Sequence, residues 1–138
     1  MNNGYILIAV ILLVIAAVAW RYYPQSAMEQ GSGDPIVKVT IPELDAETQV
    51  GKSEFDENCA SCHGANAAGQ EGIAPPLVHR IYEPDHHGDQ SFYLAAKQGV
   101  RAHHWPFGNM PPVEGITDEQ ISQIIVYIRA LQRANGII

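Results

Sequence analysis

The sequence predicts a small all-α domain behind an apolar N-terminal segment. The chain has 138 residues, which is enough for one modest domain and an appendage. Helix caps and one helical apolar stripe recur after the apolar segment. No stretch alternates like a strand over a useful length, and the nearest one, IVKVTI at 36–41, stands alone. The rest is loop rich in Gly and Pro, which is too little regular structure for a core of this size, so another component must fill its middle.

The apolar segment predicts a membrane anchor over residues 1–23. Residues 4–20 contain no charged side chain and have aromatic residues at both ends, and 17 residues is about the shortest length that spans a bilayer. We expect residues 4–20 to contact lipid. A cleaved signal peptide is the alternative, because Ala17–Ala19 fits a small-x-small cleavage site. Arg21 follows the span, and the positive-inside rule alone would place it in the cytoplasm.

A tether and one folded domain are expected after the anchor. Residues 24–41 are rich in Pro, Gly, Ser and polar side chains and predict a flexible linker. The domain is predicted over residues 42–138. The net charge of −7 excludes a basic face for nucleic acid. It permits a partner with a positive docking surface, although a solvated acidic surface is the common alternative.

Two helices are predicted from their caps. The first covers Ala46–Asn58, with Asp45 as N-cap and acidic residues in its first turn. The second covers Gln90–Gln98, capped by Asp89 and ended by Gly99.

The third helix has the strongest pattern. Thr117 and Gln120 form a T-x-x-Q capping box at its start. One apolar stripe follows at helical spacing: Ile121, Ile124, Ile125, Ile128 and Leu131. Arg129 and Arg133 lie near the negative end of the helix dipole, before Gly136.

The motif CASCHG contains both cysteines of the chain. Zinc would need about four ligands, and His79 and His86, which might complete a set with Cys59 and Cys62, are spaced outside the common pattern. A thioredoxin-like disulfide would need a strand before the motif and a parallel sheet beneath it. The third interpretation is covalent haem, in which each thiol bonds one vinyl group and His63 lies under the iron.

A ligand for the other face of the iron is available in FGNMPP. Met110 lies there in a proline-braced loop, whereas a methionine that only fills a core is usually on a helix or strand. A proximal histidine also needs a partner for its other ring nitrogen. The stretch APPL at 74–77 offers a backbone carbonyl for that bond.

Together these residues resemble the class I c-type cytochromes, small one-haem electron carriers. The resemblance covers residues 44–134. It includes the spacing G-x-x-x-F-x-x-x-C-x-x-C-H-G over residues 51–64. It also includes a P-x-L element at Pro75 and Leu77 and M-P-P from Met110.

The resemblance implies a class I cytochrome c fold of few helices and loops around one covalent haem c. Cys59 and Cys62 would attach the haem, His63 and Met110 would be the axial ligands of the iron, and the carbonyl of Pro75 would accept from His63. Haem would then supply the apolar body that the loop-rich chain lacks.

In this family the first and last helices cross near small and aromatic residues. By that likeness, Gly51 and Phe55 would meet Tyr127 or Ile128.

The function expected from such a site is one-electron transfer rather than catalysis. An iron with both axial positions filled has no open place for a small-molecule substrate. We therefore expect a carrier between respiratory or photosynthetic complexes, with redox proteins in or at the membrane as partners. The alternative is a haem c subunit of a larger membrane dehydrogenase or oxidase. A sensor or peroxidase is disfavoured, because no acid–base constellation accompanies the motif.

The resemblance also implies a location. In systems similar to this one, haem is attached outside the cytoplasm. We therefore expect a single-pass protein of the bacterial inner membrane with its haem domain on the periplasmic side, against the weak charge rule at Arg21.

Several polar side chains remain without a role in this scheme. Five histidines lie outside the motif: His79, His86, His87, His103 and His104. They suggest a second metal site, or replacement of Met110 by His103 or His104, and surface histidines are the plain alternative. Arg101 and Trp105 precede the Met110 loop and are candidate donors to a haem propionate, as is His79.

Overall fold

The structure is a computed structural model that describes Ile8, residues 11–15 and residues 33–138. Four α-helices lie in the last of these ranges: α1 Ala46–Asn58, α2 Ala60–His63, α3 Asp89–Gln98 and α4 Asp118–Ala134. Short 3₁₀ turns cover Ala65–Ala67 and Arg80–Tyr82. Strand pairing in the described residues is limited to two isolated bridges, Gln70 with Ala74 and Val100 with Met110. The predicted all-α class is confirmed.

Helix α1 has the predicted bounds and the predicted cap. The Asp45 carboxylate accepts from the backbone N–H of Thr48 at 2.8 Å. This bond, which favours the charged form, holds the pKa of Asp45 below its ordinary value.

Helix α4 also begins as its sequence predicts. Thr117 and Gln120 make both bonds of the capping box. The whole apolar stripe is buried in the core: Ile121, Ile124, Ile125, Ile128 and Leu131.

The crossing of α1 and α4 forms the centre of the domain. The rings of Phe55 and Tyr127 are 5.6 Å apart and tilted by 55°, and both residues are fully buried. Gly51 lies against the backbone of α4 so closely that a Cβ built on it would be 2.1 Å from the carbonyl oxygen of Gln123. The expected meeting of Gly51 and Phe55 with Tyr127 is therefore present.

Helix α3 differs from its prediction at the N-terminus. Gly88 is the N-cap, and Asp89 is already the first helical residue without a capping bond. The Asp89 carboxylate instead accepts from Nε of Arg129 at 2.9 Å. The predicted cap was wrong because a long-range ion pair takes the side chain away from the helix end.

The second half of the expected tether is bonded to the domain. The backbone N–H groups of Ile36 and Val37 donate to the Ala68 carbonyl at 3.2 and 3.1 Å. The side chain of Asn135 bonds both the N–H and the carbonyl of Thr40 at 2.8 Å. Residues 33–41 are thus part of the packed structure, whereas residues 24–32 of the predicted linker lie outside the described residues.

Most of the predicted anchor, residues 1–23, also lies outside the described residues. The part that is described is helical, and its apolar side chains are exposed: Ile8, Ile11, Leu12, Leu13, Val14 and Ile15. Of the helices in the described part of the chain, none combines the length and apolar character needed to cross a bilayer.

Candidate cofactor site

A cavity of about 390 Å³ lies between the helices and brings the sequence motifs together. Its lining contains both cysteines, His63 and Met110, which are far apart in sequence. Much of the remaining wall is apolar and includes Leu77, Phe92, Ile121, Ile124 and Ile128. The fold thus gathers two thiols, an imidazole and a thioether around one apolar space.

The cysteines occupy the junction of α1 and α2. Cys59 is half-buried and Cys62 is exposed, and both thiols are free. Burial, and secondarily the neighbouring Cys62, raises the pKa of Cys59 to about 12, so this thiol is protonated at neutral pH. A helix precedes the motif, and the described residues form no sheet beneath it, so the thioredoxin-like alternative lacks its scaffold.

His63 has the environment of a ligand. It is buried, and its Nδ1 lies 2.9 Å from the carbonyl oxygen of Pro75. Burial lowers the pKa of His63, while the bond to Pro75 opposes this shift. A neutral ring that donates from Nδ1 keeps the lone pair of Nε2 for a metal. The bond expected between these residues is present.

Gln70 supports the cysteine motif and was not identified from the sequence. Its side chain is buried, and Nε2 donates to the carbonyls of Ser61 at 2.8 Å and Cys62 at 3.0 Å. These carbonyls belong to the short helix α2, whose C-terminal groups have few partners of their own. Gln70 therefore holds the backbone of the motif, and nothing in its local sequence indicates this role.

The Met110 loop is held by backbone bonds as well as by its prolines. Val100 and Met110 exchange bonds, from Val100 N at 2.9 Å and from Met110 N at 3.0 Å. Gly99 permits this approach: its φ is +75°, and a Cβ there would lie 2.5 Å from the Met110 carbonyl oxygen. Asn109 adds a bond by accepting from the N–H of Ala102 at 2.9 Å.

Trp105 and Arg101, two of the three predicted propionate donors, have different surroundings. Trp105 lines the cavity, and its Nε1 is the one buried side-chain nitrogen or oxygen without a hydrogen-bond partner among residues 33–138. Burial raises the pKa of Tyr82, and the nearby Trp105 N–H opposes that rise. The indole N–H and the Tyr82 hydroxyl nevertheless do not meet the geometry of a hydrogen bond. Arg101 is exposed and outside the cavity lining, so its role stays a prediction.

His79 lies beside Trp105 rather than in the cavity wall. Its Nδ1 accepts from the backbone N–H of Ile81 at 3.2 Å, and its ring meets the Trp105 ring edge-on at 5.1 Å. A structural contact therefore already involves one of its two nitrogens.

Arg129 is a second residue whose role the sequence did not reveal. It is buried, and its guanidinium donates to the carbonyls of Tyr82 and His87, both at 2.7 Å, besides the Asp89 carboxylate. It also lies over the Phe92 ring, 5.0 Å from the centroid. Its cation therefore organises the segment that leads into α3, rather than only complementing the helix dipole.

The residues of the cavity fit a haem c. The thiols can form two thioether bonds, a neutral imidazole and a thioether are groups that can ligate iron, and the unpaired indole N–H offers a donor to a carboxylate. They do not fit the zinc alternative, because the group of side chains in the described residues that is close enough to hold a metal ion, His86, His87 and His104, contains neither cysteine.

Comparison with known proteins agrees with this assignment. The family described as "Cytochrome c" matches residues 49–132. Similar proteins include the Cbb3-type cytochrome c oxidase subunits FixP of Sinorhizobium medicae (strain WSM419), 30% identical over 78% of this chain and 40% of the relative, and CcoP of Azospirillum brasilense, 34% identical over 62% and 29%. Subunit FixP of Rhizobium meliloti (strain 1021) is 30% identical over 86% and 44%.

This chain therefore spans less than half the length of each of these relatives. The family match, in contrast, covers more than half of the chain and includes the cysteine motif and Met110. The chain belongs to the cytochrome c family, and it carries a haem c bound covalently through Cys59 and Cys62.

Proposed function

We propose that His63 and Met110 are the axial ligands of the haem iron, and that the chain passes single electrons between redox proteins at a membrane. The observation that carries this proposal is the single cavity that both side chains share with the two cysteines. When bound, haem c supplies the one-electron change between ferric and ferrous iron.

The chain's own residues orient the two ligands. Pro75 holds the ring of His63 through the 2.9 Å bond, and burial keeps that ring neutral. The paired backbone bonds between Val100 and Met110 fix the backbone of the loop that carries the thioether. Apolar walls exclude water, and together with a methionine ligand they favour a high reduction potential. If His63 and Met110 both bind the iron, the site would be suited to electron transfer and would leave no position on the iron for a substrate.

Electrons would enter where the cavity reaches the surface. Cys62, Ile73 and Leu94 line the cavity and are exposed to solvent, with relative exposures of 38% for Ile73 and 49% for Leu94. A small apolar patch around a cofactor edge suits transient contact with another redox protein.

The ligand assignment is tested with Met110→Ala, using Glu114→Ala in the same exposed loop as the control. In the parent and the control we expect the weak ferric absorption band near roughly 700 nm that a thioether ligand gives, and in Met110→Ala its loss and a potential lower by on the order of 100 mV or more. An unchanged spectrum in Met110→Ala would overturn the assignment and point to His103 or His104.

We also propose that the chain is held at a bacterial inner membrane by residues 4–20, with its haem domain on the periplasmic side. The exposed apolar side chains of the described helical stretch 11–15 support this proposal. An anchor would confine the domain to the membrane surface and raise its effective concentration near membrane complexes. The intact mass of the purified protein would report whether residues 1–19 remain, and a mass without them would contradict the anchor.

A second candidate function is that of a haem c subunit in a larger oxidase complex. It is favoured by the relatives, which are named as subunits of Cbb3-type cytochrome c oxidase. Membranes solubilised in mild detergent and separated on a native gel distinguish the two candidates. Haem stain that migrates with oxidase activity would support the subunit, and haem stain at the mass of the chain alone would support the free carrier.

A further inference from the structure

Three histidines that the haem does not use form a cluster at the edge of the cofactor cavity. His86, His87 and His104 each offer a ring nitrogen, and these atoms all lie within 4.8 Å of one another. His87 and His104 also line the cavity. We propose that this tri-histidine cluster binds one divalent transition-metal ion of the Zn²⁺ type, separate from the haem iron.

The spacing of the three rings is near that of a metal site. Their centroids are 4.7 Å apart for His86 and His87, 5.5 Å for His86 and His104, and 5.4 Å for His87 and His104. The ring nitrogens here lie within 4.8 Å of one another. Nitrogen ligands about 2.0–2.1 Å from a tetrahedral ion are roughly 3.3 Å apart, so the nitrogens must move closer to share one ion. His86 and His104 are exposed, so we expect their side chains to rotate and bring the ring nitrogens closer when an ion binds.

His87 is held in the orientation that a ligand requires. Its Nδ1 lies 2.6 Å from the carbonyl oxygen of Ile81, and the tautomer that donates this bond leaves the lone pair of Nε2 for a metal. Its backbone N–H donates to the backbone carbonyl of Glu83 at 2.8 Å, and its own carbonyl accepts from the guanidinium of Arg129 at 2.7 Å. One of the three ligands is therefore fixed before any ion binds.

The donor set selects the class of ion. Three imidazoles suit Zn²⁺, Cu²⁺ or Ni²⁺, whereas Mg²⁺ and Ca²⁺ require oxygen ligands. The fourth position would be open to solvent, because two of the three histidines are exposed. His103 is adjacent, with its ring 4.2 Å from that of His104, but none of its nitrogens belongs to the group of ring nitrogens that lie within 4.8 Å of one another.

The ion would link two segments that approach each other only in the folded protein. His86 and His87 precede α3, and His104 lies in the loop between Val100 and Met110. A bond across these segments would restrain the loop that holds Met110. We therefore expect the ion to stabilise the haem protein without changing the ligands of its iron.

The test is calorimetric titration of the haem-loaded protein with ZnCl₂. We expect one ion per chain, no binding of MgCl₂ and no change in the haem absorption spectrum. The double variant H86Q/H104Q should weaken Zn²⁺ binding by at least about 10-fold, as removal of metal-site contacts commonly does. His103→Gln is the matched control and should bind Zn²⁺ as the parent does.

Thermal unfolding provides an independent measurement. With Zn²⁺ about 100-fold above its Kd, linkage should raise the Tm of the parent by roughly 10–20 °C for a domain of this size. The double variant should show no such shift. Because both replaced residues are exposed, the variant is expected to keep its fold, and an unchanged haem spectrum verifies this; if it does not, His104→Gln alone replaces it.

Three results would overturn the proposal. The first is no Zn²⁺ binding with a Kd below about 100 µM, a weak affinity for three correctly placed imidazoles. The second is equal binding by parent and double variant. The third is a haem spectrum that changes as Zn²⁺ binds, which would indicate that the ion acts at an iron ligand instead.

Discussion

Gly51→Ala tests the crossing of α1 and α4, on which the cavity depends. The added methyl carbon would lie 2.1 Å from the Gln123 carbonyl oxygen and 3.1 Å from Cβ of Tyr127, whereas ordinary contact begins at 3.4 Å. The nearest atom belongs to the backbone of a helix and cannot rotate away. The two helices must therefore separate by more than 1 Å at this point to restore ordinary contact.

The expected cost follows from two opposing effects. Overpacking of this kind costs about 1–3 kcal/mol or more, and a clash with rigid backbone falls at the upper end of that range. Alanine in place of glycine returns about 1 kcal/mol of helix propensity. A net loss of about 2 kcal/mol in the free energy of unfolding is expected, which corresponds to a Tm lower by roughly 8–16 °C.

The measurement is guanidinium and thermal unfolding of the haem-loaded protein followed by far-UV circular dichroism. Glu57→Ala, at an exposed position of the same helix, is the control and should stay within about 0.5 kcal/mol of the parent. If Gly51→Ala were as stable as the parent, the close approach of the two helices described above would be incorrect.

Three further changes test the site and its supports. Replacing both Cys59 and Cys62 by Ala removes the covalent attachment, so haem should be extracted under denaturing conditions and the domain should fold poorly. A compact and stable haem-free protein would contradict the idea that haem fills the core. Gln70→Leu removes a buried amide from the part-buried carbonyls of the motif and should lower the free energy of unfolding by about 2 kcal/mol, whereas the exposed Gln98→Leu should change it little; equal effects of the two would refute the role of Gln70. The lowered pKa of Asp45 contributes stability that is present above its ordinary value of 3.8 and is lost as the pH falls through the folded value. The Tm advantage of the parent over Asp45→Asn should therefore shrink between about pH 6 and about pH 3, and an advantage that stays constant would show that the charge of Asp45 is not the cause.

The sequence alone predicted the features whose cause is local. The bounds of α1 follow from Asp45 and its neighbours, and the start of α4 follows from Thr117 and Gln120. The cysteine motif and the Met110 loop indicated the cofactor because each part is a short pattern of residue types. Such patterns need no knowledge of distant residues.

The tertiary structure decided the features that depend on distant partners. Gln70 donates to carbonyls eight and nine positions away in the chain. Arg129 donates to the carbonyl of His87, which is more than forty positions away. The ion pair with Arg129 also removed Asp89 from the cap that the sequence predicted. The sequence around Gln70 and around Arg129 carries no local pattern that marks these contacts. A buried hydrogen bond depends on which groups the folded chain brings within about 3 Å of each other.

The surroundings of the haem were decided in the same way. Spacing identified the two thiols, the imidazole and the thioether, but only the fold shows that the indole N–H of Trp105 is left unpaired beside them. Only the fold also brings His104 to the pair His86 and His87, although 16 residues of chain lie between His87 and His104. A linear sequence specifies which groups exist, whereas the distances that let them share one ion are set by the packing of the loops against α3 and α4.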